Sequence, residues 1–227
     1  MLPFGPHYSK LYDAIEARNI GLTNRYLEEY RRNRSLLTNI DINDLFGFAC
    51  SNGDLQAAKA LRDFGADVDY RDSDSGSTAL VASAAFGQVE AVKWLLSIRA
   101  NPDIPTIQGT TALHSAATGG QGASEYDYQR IAKLLIEARA DVNARDNAGT
   151  TPLMRAAMRC DEDMVRLLVN NGASKTIRDY QGMTARDAAL AIANELGSLS
   201  AMDLARMRMM GVNLDANKAR AIANFLS

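Results

Sequence analysis

The chain has 227 residues, 47% hydrophobic and 23% charged, with a net charge of −2. That composition excludes a disordered or collagen-like chain, and the near-balanced charge excludes a nucleic-acid footprint spread over the whole molecule. Within the apolar fraction, 36 Ala and 24 Leu stand against only 7% aromatics; small and aliphatic side chains favour helices packed close together.

The predicted elements follow in chain order. Leu11, Ala14 and Ala17 suit one face of a first helix, and Leu22, Tyr26, Leu27 and Tyr30 one face of a second. Residues 43–70 form a further unit, with Phe46, Gly53 and the tail Gly65-Ala-Asp-Val-Asp69. From there two phrases recur in phase. One is Gly76-Ser-Thr78-Ala-Leu80, Gly109-Thr-Thr111-Ala-Leu113, Gly149-Thr-Thr151-Pro-Leu153 and Gly182-Met-Thr184-Ala185, with threonines 33, 40 and 33 residues apart. The other is Gly65-Ala-Asp, Ala100-Asn-Pro-Asp103, Ala140-Asp-Val-Asn143 and Gly172-Ala-Ser174. Between them runs an apolar helical stretch such as Val92–Leu96, Ile131–Leu135 or Val165–Leu168. The threonine is placed to cap a helix, Pro152 sits where a missing N–H costs nothing, and Gly172 suits a left-handed helix end. A single such helix pair cannot bury its apolar faces; stacked neighbours can. At the C-terminal end, Thr184–Leu190 starts another pair, Leu199–Met210 supplies its second helix, and Asp215 caps a last helix with Ala219, Ile222, Ala223 and Leu226 at helical spacing.

These phrases resemble the ankyrin-repeat family, whose T-P-L-H-x-A pattern is close to Thr111-Ala-Leu-His114-Ser-Ala116 and Thr151-Pro-Leu-Met-Arg-Ala156. The resemblance implies an all-α solenoid of stacked helix pairs joined by extended turns, one domain over 1–227. Its expected parts are an N-terminal capping repeat 8–42, repeats 43–70, 71–104, 105–144 and 145–177, a C-terminal repeat 178–211 and a terminal helix 212–227.

Catalytic constellations are absent from the sequence: it has no Gly-rich phosphate loop and no metal-ligand spacing, so neither cofactor nor metal is expected. His114 occupies the family's usual histidine place and is read as a loop brace rather than a general base. Cys50 and Cys160 lie three units apart, on the order of 30 Å for helices spaced about 10 Å, and are read as buried, unbonded thiols. The chemistry expected is therefore recognition. By resemblance, variable positions flank the turn glycines and follow the paired alanines. They are Asp74, Ser75, Ser77, Ala85 and Phe86; Ile107, Gln108, Thr110 and Thr118; Asn147, Ala148, Thr150, Met158 and Arg159; and Tyr180, Gln181 and Met183. Phe86, Met158, Arg159 and Tyr180 are the anchor candidates, because such residue types are enriched at interface hot spots; for Phe86 and Met158 packing between repeats is an equal reading. The 40-residue unit carries seven extra residues, placed in Gly119–Tyr128, where Tyr126 and Tyr128 would be adhesive if the segment is more than a tolerated insertion. Arg206–Met210 is read as covering the last repeat.

The expected function is a non-enzymatic protein–protein interaction module, an adaptor, inhibitor or effector whose concave groove and turn tips take a protein partner. Two other readings stand beside it: an enzyme with its chemistry in 197–227, and nucleic-acid binding through Arg25, Arg31, Arg32 and Arg34, which reads more simply as a solvated polar face. A monomer is expected. Without a run of about 18 apolar residues no membrane insertion is expected. Met1–His7 lacks the features of a secretory leader, and two unpaired cysteines suit a reducing compartment, hence a cytoplasmic protein or one delivered into a host cytosol without a classical signal.

Overall fold

A computed structural model describes residues 6–32, 42–120, 123–199, 203 and 214–227. Among them twelve helices can be traced and no strand: α1 (Pro6–Glu16), α2 (Ile20–Arg32), α3 (Ile42–Ser51), α4 (Leu55–Phe64), α5 (Ala79–Ala85), α6 (Val89–Ser97), α7 (Ala112–Thr118), α8 (Glu125–Glu137), α9 (Pro152–Met158), α10 (Glu162–Asn170), α11 (Ala185–Ser198) and α12 (Ala216–Phe225). The chain is an all-α solenoid. Its first helices form one row, in which α3, α5, α7, α9 and α11 each pack on the next. A second row carries α2 against α4 and α6, α8, α10 in sequence, with α12 packed on α11 and touching α9 and α10.

The repeat phase is the packing phase. Leu80, Leu113 and Leu153 of the first row are each 1% exposed or less, and Leu61, Leu95, Leu135 and Leu168 of the second row are fully buried. Each such side chain stabilises the stack by about 1.5–3 kcal/mol. Ala84, Ala117 and Ala157, also buried, sit one turn after the first-row leucines and leave room for the neighbouring helix.

Threonine and aspartate start the helices. Thr78 Oγ1 accepts the Val81 amide at 3.2 Å, Thr151 Oγ1 that of Met154 at 3.3 Å, and Thr184 Oγ1 that of Asp187 at 3.2 Å. In the second row Asp54, Ser124 and Asp161 perform the same service for α4, α8 and α10. The helix ends are less uniform. Gly65 and Gly172 take left-handed conformations at φ 120° and 92°, but Arg99 and Arg139 occupy the same place at φ 67°, a conformation that strains an L-residue with a Cβ.

The extended turns are tied side by side. The Ile107 amide donates to the Ser75 carbonyl at 2.8 Å, that of Asn147 to Gln108 at 3.0 Å and that of Tyr180 to Ala148 at 3.0 Å. Within the turns, Asp72, Asp146 and Asp179 accept the local backbone amides. At Gly109 (φ 78°) a Cβ would lie 2.8 Å from the Asn147 amide nitrogen, so the close approach of successive tips requires glycine.

The Gly119–Tyr128 segment ends in helix. Ser124 caps α8 and exchanges hydrogen bonds with Asp127, so Glu125–Tyr128 are helical and α8 reaches 13 residues where α6 and α10 have 9. Tyr128 is 2% exposed, with its hydroxyl donating to the Ala85 carbonyl at 3.2 Å. It is a core residue, which corrects its expected place on an adhesive surface. The helix expected at Leu199–Met210, the Arg206–Met210 segment and Arg34 fall outside the described residues, apart from Leu199 and Asp203.

Candidate binding face

The turn tips and first-row helices share one face, and two grooves open on it. The first, with a volume of about 450 Å³, lies between α3, α5 and the turns beside them. Phe86, at the end of α5 and 56% exposed, lines it together with Phe48, Tyr70, Ser75 and Ser77. Tyr12 of α1 stacks on Phe48 with centroids 4.3 Å apart, which fixes that ring in place. The second groove, about 350 Å³, lies between α9, α11 and their turns. Met154, Met158, Met183, Tyr180 and Gln181 line it, and soft thioether side chains adapt to varied apolar contacts. Tyr180 is 72% exposed yet braced, with the Arg145 guanidinium 5.0 Å from its ring centroid.

Between the grooves the turns present Ile107, 59% exposed, with Gln108 exposed and Thr110 half-buried. Asn147 is exposed, but its side-chain amide donates to the Ile107 carbonyl at 2.8 Å, so it also holds two tips together. Asp74 and Ser75 are exposed and Ser77 half-buried, all three close to the Asp72 carboxylate that organises their turn. Met158 is 43% exposed; Arg159 is half-buried, its guanidinium lying against Gly119. Phe86 and Met158 thus keep much of their surface in solvent, while Arg159 also serves packing. Tyr126, 68% exposed, lies elsewhere: it lines a cavity of about 560 Å³ over the second-row helices with Val89, Arg130 and Leu167. Phe48, Tyr70, Asp44 and Met154 line the grooves without having been singled out in the sequence. Phe48 could have been found, since it lies two residues after Phe46 on α3 and so points away from the core position that Phe46 takes.

His114 is fully buried and braces the stack. Its Nε2 donates to the Thr150 carbonyl at 3.0 Å, which leaves Nδ1 to accept from the Thr111 hydroxyl at 2.9 Å. Burial pushes its pKa below the ordinary value. The Cys50 thiol is pushed up to about 12 and that of Cys160 also upward, both by burial, so neither is poised as a nucleophile. Among the described residues no group of three or more His, Cys, Asp and Glu could hold a metal ion, and no helix is long and apolar enough to cross a membrane.

Stacked helix pairs joined by a ribbon of preformed turns define a helical repeat protein. The family model for ankyrin repeats (3 copies) matches residues 46–146 and 121–204. The chain belongs to the ankyrin-repeat family. Among curated proteins it is similar to neurogenic locus notch homolog protein 1 of Xenopus tropicalis, 34% identical over 160 residues, and to its human counterpart, 33% over 159; each alignment covers 64% of this chain and 6% of the relative. Human ankyrin repeat and SOCS box protein 16 is 35% identical over 137 residues, 60% of this chain and 30% of that protein. The likeness is therefore to the repeat portion of longer proteins. Ankyrin repeats are in general protein–protein interaction modules.

Proposed function

We propose that this chain is a non-enzymatic binding module that docks a protein partner on its concave face, acting as an adaptor, inhibitor or effector. The observation that carries the reading is that Phe86 lines one groove and Met158 and Tyr180 the other, with Ile107 on the turns between them, all large apolar side chains left 43% to 72% exposed on one face whose turns are bonded tip to tip. Side chains of this size exposed in register, on a backbone already fixed by hydrogen bonds, offer contact area at small ordering cost. Asp74, Ser75, Ser77, Gln108, Thr110, Asn147 and Gln181 supply the polar rim, and Arg159 an anchor at the centre. His114, committed to Thr111 and Thr150, supports this reading over an enzymatic one.

Site-specific photo-crosslinking tests it. A photoreactive residue at Phe86 or Tyr180 is expected to capture the same partner from a cell extract, and one at Lys133 on the second row is expected to capture none. Capture from Lys133 with none from Phe86 or Tyr180 would move the binding face to the second row.

A further inference from the structure

The two grooves of the concave face differ in charge. Among the described residues lining the first, three are aspartates, Asp44, Asp67 and Asp72, and none is Lys, Arg or His. Those lining the second include one carboxylate, Asp179, amid three methionines. The walls of the first groove are aromatic: Phe48 held by Tyr12, Phe46 set edge-on to Trp94 with centroids 6.1 Å apart, Tyr70, and the exposed Phe86. Arg71, in the same turn, does not line the groove; its Nε donates to the Gly76 carbonyl at 3.2 Å.

We infer that the groove between α3 and α5 takes a basic segment of the partner, an arginine or lysine seated among Asp44, Asp67 and Asp72 and against the rings of Phe48, Tyr70 and Phe86. This deepens the concave-face reading and rests on it. Aromatic faces attract a cation through their quadrupole; beside them the Asp44 and Asp67 carboxylates can add charge-assisted hydrogen bonds, while Asp72, whose oxygens already accept from Asp74, Ser75 and Ser77, adds negative charge. An acidic segment would meet three like charges and no counter-charge in the lining. The Asp72 carboxylate stays ionised: burial favours the neutral acid, but the amide and hydroxyl of Ser75 and the amides of Ser77 and Asp74 outweigh it and hold the group below the usual carboxylate range. The second groove lies three repeats away, about 24–30 Å, a span that an extended peptide of about eight or nine residues covers. One extended segment, basic where it meets the first groove and apolar where it meets the second, fits both.

A random dodecapeptide phage library, selected on the full chain, tests this. The selected sequences are expected to be enriched in Arg and Lys over the unselected library and depleted of Asp and Glu. A synthetic peptide from the pool is expected to bind Phe86→Ala and the double variant Asp44→Asn, Asp67→Asn about tenfold more weakly. Its binding to the unaltered chain should weaken as salt rises from about 50 to about 300 mM, a readout that does not depend on how the variants fold. A pool without cationic enrichment, or binding indifferent to salt and to the carboxylate variant, overturns the inference. If such a pool still loses binding with Met158→Ala, Tyr180→Ala, the concave-face reading survives alone. If nothing is selected, or no concave-face variant matters, both fail.

Discussion

Arg99 and Arg139 stand where the neighbouring repeats place Gly65 and Gly172, and both are held at φ 67°. A left-handed conformation costs an L-residue about 1–2 kcal/mol, partly offset by the greater chain entropy that glycine loses on folding. Arg99→Gly and Arg139→Gly are each expected to stabilise the fold by about 0.5–1 kcal/mol, read as a higher urea midpoint; an unchanged or lower midpoint would mean that the arginine side chains hold these turns by contacts that outweigh the strain. His114 makes a prediction in pH. Burial, more than any neighbour, keeps its imidazole neutral and its pKa under the ordinary 6.5. The unfolded chain takes up a proton near 6.5 while the folded one resists, so this group's contribution to stability is complete above that pH and declines as pH falls below it. Between about pH 7.5 and about 5.5 the unaltered chain should lose more stability than His114→Gln. Equal losses would assign the pH dependence to other groups.

Helix α8 shows where sequence reasoning succeeded and where it stopped. Recurring Thr, Gly and Leu made the helix pairs legible because caps, left-handed turns and core positions each demand a narrow set of residue types. The glycines of the insertion, Gly119, Gly120 and Gly122, point to a mobile segment. Yet Ser124-Glu-Tyr-Asp127 has the form of a capping box, a start signal for a helix already present in the sequence. One further turn of helix then carries Tyr128 inward beneath Ala85 and leaves Tyr126 outside. A Cβ at Gly87 would collide with that of Ala123, so Ala123 sits tightly against the preceding repeat. Tyr128→Phe, which removes the hydroxyl bonded to Ala85, is expected to cost about 0.5–1.5 kcal/mol in denaturant unfolding, and Tyr128→Ala about 3–5 kcal/mol. A Phe variant of unchanged stability but altered binding would restore the tyrosine to the surface.

At the scale of the molecule, each helix pair is stabilised by its neighbours, and the C-terminal end is closed by α12, which buries Ala219, Ile222 and Ala223 fully. The face that this stack presents was legible only in part. Turn-tip exposure at Ile107 and Tyr180 follows from repeat phase, whereas the grooves depend on which side chains from two different repeats meet. No spacing rule within one repeat brings Phe48, Tyr70 and Phe86 to a single wall. The most direct test of the concave-face account compares two triple variants in quantitative partner capture, Phe86→Ala, Arg159→Ala, Tyr180→Ala on the groove side and Lys93→Ala, Tyr126→Ala, Lys133→Ala on the second row, each first checked for an unchanged helical spectrum. The account predicts that the groove variant loses about tenfold or more of the captured partner, as clustered anchors do, while the second-row variant retains it. Retention by the groove variant together with loss by the second-row variant would contradict it.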